Sequence, residues 1–62
     1  MQRKTAIKRI MSFGLLDRNG AADFLEWCTF VNGMTNYHAV QLAERTAQLK
    51  SRLGRKENEN ND

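Results

Sequence analysis

The chain has 62 residues and a mass of 7.2 kDa, which confines it to one small domain with no room for a second hydrophobic core and excludes most enzymes built on large scaffolds. Ten Lys/Arg against seven Asp/Glu give a formal charge of +3, and with 40% apolar residues the chain is too hydrophobic for wholesale disorder. The charge is unevenly spread. All 25 apolar side chains fall between Met1 and Leu53, and residues 1–56 carry ten basic and four acidic side chains, net +6, whereas the last six residues carry three acids and no base.

The single cysteine, Cys28, excludes an intramolecular disulfide and any Cys-based metal set. The expected setting is therefore reducing and cytoplasmic. Near the N-terminus Ala6, Ile7, Ile10 and Met11 alternate with Lys8 and Arg9, which is not the continuous apolar run of a secretion signal. No uninterrupted apolar run exceeds two residues, against the roughly 20 needed to span a bilayer, so no membrane span is expected.

The chain lacks proline, and its glycines fall near the points where the apolar periodicity resets. In the first segment Ala6, Ile7, Ile10 and Met11 share one side of a predicted helix, with Thr5, Lys8, Arg9 and Ser12 mostly on the other. Gly14 closes that helix, and Asp17-Arg18-Asn19-Gly20 supplies turn chemistry, so the first break is placed at 14–20 with Leu15 and Leu16 tucked beneath the helices. The second helix, Ala21 to Val31, is apolar around more than half its circumference and is expected to be the central, most buried one. Phe24, Trp27, Cys28 and Val31 form its broad face, and Phe30 projects elsewhere and needs a second partner.

Asn32-Gly33-Met34-Thr35 reads as a turn, with Thr35 or Asn36 capping a third helix to about Leu53. Ala39, Leu42, Thr46, Leu49 and Leu53 recur along it at 3-4 spacing beside a row of small residues, Val40, Ala43 and Ala47; Tyr37, Gln41, Arg45, Gln48 and Arg52 project oppositely. Beyond Gly54 nothing apolar remains to bury. The expected fold class is thus all-α: a small three-helix domain over 1–53 and a disordered polar tail over 54–62.

Catalytic chemistry finds little support. His38 has no sequence-adjacent nucleophile or carboxylate pair, and Cys28 sits on an apolar helix face, so no catalytic residue is assigned and the chain is read as a non-enzyme without a small-molecule substrate. Asp17-Arg18-Asn19-Gly20 superficially resembles part of a calcium loop. Aligning its Asn-Gly to such a loop puts Leu15 where the first carboxylate must stand, so it reads as an ordinary turn, and no metal or cofactor is assigned.

The basic residues are more informative. Arg3, Lys4, Lys8 and Arg9 load the first helix and Arg45, Lys50, Arg52, Arg55 and Lys56 the last, with the acids Asp17, Asp23 and Glu26 between them. The step from the second helix to the third resembles a helix-turn-helix. Thr29 stands four residues before the turn glycine Gly33, Met34 follows it, and Ala39 and Leu42 stand six and nine beyond it, in the pattern's small and apolar positions. Asn32, before the glycine, and the hydroxyl of Thr29 depart from that pattern. The resemblance implies that the third helix enters a major groove, with Thr35, Asn36, Tyr37 and Gln41 facing bases, Arg45, Gln48 and Arg52 further along, and Lys4, Lys8 and Arg9 on the flanking phosphates.

The expected function is a small DNA-binding transcriptional regulator. The alternative is a dimeric protein-interaction module that inhibits or adapts a larger regulator or enzyme, with its positive faces seeking an acidic protein surface. Its interface residues would be Trp27, Phe30, Leu49 and Leu53. A core of about 53 residues is marginal alone, so a homodimer is expected under both readings.

Overall fold

A computed structural model describes the backbone of residues 1–60 and the side chains of residues 1–52. Helix α1 spans Arg3–Ser12, α2 spans Arg18–Glu26 and leads directly into a five-residue π-helical turn, Trp27–Val31, and α3 spans Asn36–Asn60. There is no strand among the described residues. The fold is the all-α one that the periodicity predicts, with a four-residue step at 32–35 between the second and third helical stretches. Helix α3 continues to Asn60, past the end expected at about Leu53, while the side chains of residues 53–62, which include Leu53 and the expected tail over 54–62, lie outside the described residues.

Each turn has a local cause. Gly14 adopts φ +80°, a left-handed conformation that costs glycine little, while the Phe13 and Gly14 amides donate back three residues to the Ile10 and Met11 carbonyls and tighten the end of α1. Asp17-Arg18-Asn19-Gly20 is the start of α2 rather than a turn before it. Asp17 is the N-cap, its Oδ1 accepting from the Gly20 amide at 2.7 Å, so the break is shorter than its turn-forming composition suggests. Gly20 leaves room for this cap, because a Cβ there would meet Asp17 Oδ1 at 3.2 Å and Leu16 Cδ2 at 3.3 Å. Leu15 is half-buried, but Leu16 is exposed, so only the first of the pair tucks under the helices.

The π-helical turn is the feature that periodicity misses. Thr29 Oγ1 donates to the Leu25 carbonyl at 2.9 Å, the acceptor that the Thr29 amide would use in an α-helix, and this competition favours a wider turn. The Asn32 amide then reaches the Trp27 carbonyl five residues back, and Asn32 Nδ2 donates to the same oxygen at 3.2 Å. Gly33 at φ +66° reverses the chain, and the Met34 amide reaches the Cys28 carbonyl. That closure is one residue wider than the usual 6→1 helix end, as a π turn requires. Thr35 caps α3 by accepting from the His38 amide at 3.1 Å.

The core is a single cluster of Ala6, Ile10, Ala21, Leu25, Cys28, Ala39, Val40 and Ala43, with Ile7, Phe13, Phe24, Met34 and Leu42 packed at its edge. Ala6, Ala21 and Ala39, one on each helix, are wholly buried. Such short side chains let the backbones approach closely. Helix α1 packs against both α2 and α3, and the second helical stretch, α2 with its π turn, packs against α3 as well. The three helical stretches share the core about equally, so the second, with Ala21, Leu25 and Cys28 buried, is not set apart as its centre, and neither is α1. The second helix has more apolar residues, but its π turn carries Trp27, Phe30 and Val31 outward, leaving Ala21, Leu25 and Cys28 as its buried contribution. Among the described residues of α3, the fully buried ones fall in the first two turns, and Thr46 and Leu49 of the 3-4 stripe are exposed.

Close packing at alanine is sensitive to added volume. Ala21→Leu should lower stability by about 1–3 kcal/mol, read as a reduced urea midpoint, whereas Ala22→Leu, at a half-buried neighbouring site, should shift the midpoint much less.

Candidate nucleic-acid interface

The N-terminal half of α3 projects one face away from the core. Ala39, Val40 and Ala43 hold the helix against the rest of the domain, leaving Tyr37, Gln41, Arg45 and Gln48 exposed on the other side. Gln41 Nε2 donates to the Tyr37 hydroxyl at 2.9 Å, linking neighbours one helical turn apart. The amide keeps its Oε1 and a second N–H available to an incoming partner.

Arg9 comes to this face from α1. With Tyr37, His38, Gln41, Glu44 and Arg45 it lines an open cleft of about 730 Å³ floored by Met34, Val40 and Leu42 and edged by Met1. Two guanidinium groups from different helices thus flank a pair of hydrogen-bonding side chains. Glu44 lies in the same cleft and offsets part of the positive potential, so the charge here is weaker than a count of basic residues implies.

The other predicted contacts are distributed differently. The Thr35 hydroxyl is engaged by its own helix cap, and Asn36 Nδ2 donates to the Met1 carbonyl at 3.1 Å, pinning the N-terminus to the start of α3. Both are structural contacts here, and neither residue lines the cleft. Gln48 and Arg52 are exposed further along α3 and lie outside it. Lys4 and Lys8 line a separate cleft on α1 together with Arg18. Arg18 was not singled out by the sequence because it stands in an apparent turn. Arg3 pairs with Glu26 at 2.7 Å and ties α1 to the end of α2; both side chains are about half exposed, at 58% and 49%, so the pair contributes little to stability.

The proposed protein-interface residues lie elsewhere. Trp27, Phe30 and Val31 are 53%, 84% and 70% exposed along the π turn, and Leu49 is 58% exposed on α3. Trp27, Phe30 and Val31 stand at i, i+3 and i+4 and so share one flank of the second helical stretch, and all three are exposed.

Two departures from the helix-turn-helix pattern have local explanations. The Thr29 hydroxyl finds its partner at Leu25 O, and Asn32 is exposed because its side chain closes the π turn. Ala39 is buried and Met34 and Leu42 are partly so, the placement the resemblance requires of them. Among the described residues, no three His, Cys, Asp or Glu side chains come together in a way that could hold a metal ion, and no helix is long and apolar enough to cross a membrane. Compared with known proteins, the chain matches no family model, no curated protein and no solved structure.

Burial pushes the Cys28 thiol up from its ordinary pKa, because the thiolate would lose its hydration among apolar neighbours. The thiol contribution to stability is fully present below the ordinary thiol value and is lost as pH rises past it toward the raised one. Native protein at about pH 8 should react with an aromatic disulfide reagent at least about tenfold more slowly than urea-unfolded protein. Comparable rates in the two states would mean that the thiol is not protected.

Proposed function

We propose that the protein is a small regulator that binds duplex DNA, with the N-terminal half of α3 in the major groove and α1 against the flanking backbone. The observation that carries this reading is the cleft shared by Arg9 of α1 with Tyr37, Gln41 and Arg45 of α3. Gln41 offers an amide that can pair with adenine, Arg45 and Arg9 offer charge to phosphates on either side, and Tyr37 braces Gln41. Thr35 and Asn36 hold the start of the helix in place, while Gln48 and Arg52 extend its exposed face toward further backbone. The protein acts by binding, without chemistry of its own, and in a reducing cytoplasm Cys28 remains a thiol.

Titration of labelled duplex at several salt concentrations tests this. Binding should be tighter than about micromolar at roughly 50 mM salt and weaken steeply as salt rises. Arg45→Ala should weaken binding to all sequences, while Gln41→Ala should change the preference between sequences. Weak binding even at low salt would exclude the reading.

A second reading rests on a separate observation, the exposed Trp27, Phe30 and Val31 along the π turn. Large apolar groups clustered on a surface favour association, either with a second copy that pairs two α3 helices on two half-sites or with a larger regulatory protein that this chain inhibits or adapts. Phe30→Glu should abolish association in sedimentation experiments while leaving helicity intact, because Phe30 contributes nothing to the core. Loss of helicity would instead place Phe30 in the folding core. Pull-down with and without nuclease separates the readings: DNA recovered only without nuclease supports the first, and one stoichiometric protein under both conditions supports the second.

A further inference from the structure

A second cleft, of about 400 Å³, lies between α1 and the start of α2 and is lined by Lys4, Ile7, Lys8, Met11 and Arg18. Lys4 and Lys8 are one turn apart and project from the same face of α1. Arg18, the first residue of α2, meets them across the connector. Lys4 is rotated about 140° from Arg9 around the α1 axis, so this cleft and the α1–α3 cleft occupy different flanks of the same helix.

No acidic side chain lines the α1–α2 cleft. Asp17, next to Arg18 in sequence, has its Oδ1 engaged by the Gly20 amide. Three like charges around one hollow repel each other, and an anion seated among them relieves that repulsion. The start of α2 adds its partial positive charge to the same end of the cleft. The two lysines act as point charges, and the planar Arg18 fork can hold two oxygens of one phosphate.

We propose that the α1–α2 cleft is an anion site that seats a backbone phosphate of the same duplex read by α3, with Lys4, Lys8 and Arg18 as its ligands. This rests on the DNA-binding reading above and adds Arg18 to it. The bound strand then crosses α1, with Arg9 on one flank and the lysine pair on the other. A phosphodiester fits better than a bilayer surface, because the site is concave and its apolar part is limited to Ile7 and Met11, whereas a membrane-seated helix presents a broad, projecting apolar face.

The test compares full-length wild type, the triple variant Lys4→Gln/Lys8→Gln/Arg18→Gln, and Arg45→Gln, each titrated with labelled duplex across a salt series. All three cleft cations are exposed, so the triple variant should keep the wild-type circular dichroism spectrum and melting temperature. The expected result is a log–log salt dependence shallower by about two to three and affinity at least about tenfold weaker at low salt, with Arg18→Lys alone retaining most of the slope. If Arg45→Gln flattens the slope while the triple variant matches wild type, the cleft does not touch DNA; this inference is overturned and the DNA-binding reading stands. If wild type does not bind duplex, both are overturned. Binding to anionic phospholipid vesicles that is lost in the triple variant, without duplex binding, would assign the cleft to a membrane surface and also overturn the proposal.

Discussion

The close approach of three helices at Ala6, Ala21 and Ala39 is the contact on which the rest of the structure depends. Each helix contributes one alanine with no exposed surface, and around them Ile10, Leu25, Cys28 and Val40 supply most of the remaining buried volume. Small side chains bury little apolar area each, so the larger buried side chains Ile10, Leu25 and Val40 carry much of the apolar burial of the core. This contact also sets α1 against both α2 and α3. The two flanks of α1 consequently become the walls of two clefts, and the basic residues along it are divided between them.

The π turn has the opposite effect on the second helical stretch. It widens the backbone where Thr29 competes for the Leu25 carbonyl and ends the helix through Asn32 and Gly33. It also turns Trp27, Phe30 and Val31 away from the core that Leu25 and Cys28 occupy. A helix with enough apolar residues to be the centre of the fold is therefore only partly buried, and the remainder of its apolar surface is available to a partner. The exposed apolar group and the proposed DNA surface use different residues.

Charge is organised by the same packing. The basic residues of α1 and α3 look like one positive face when counted along the chain, but in three dimensions Arg9 joins Arg45 while Lys4 and Lys8 join Arg18. Glu44 tempers the first cleft and no acid lines the second. The positive charge is thus spread over both flanks of α1 rather than gathered on one face.

The sequence by itself determined that the protein is all-α, that it turns at Gly14 and at Gly33, and that α3 begins with a cap at Thr35 or Asn36, because left-handed glycines and capping side chains act within a few residues of themselves. It also determined which side of α3 is polar, since Ala39, Val40 and Ala43 repeat at helical spacing. Only the tertiary structure decided that the second helical stretch is no more central than the other two, that Val31 and Leu49 remain exposed, and that Arg18 stands beside Lys4 and Lys8. Helical periodicity identifies a side suited to burial without showing whether another helix reaches it, and it assumes a constant turn per residue that the π segment breaks. The +3 charge over 62 residues was fixed by composition; how it divides into two clefts depends on where α1 packs.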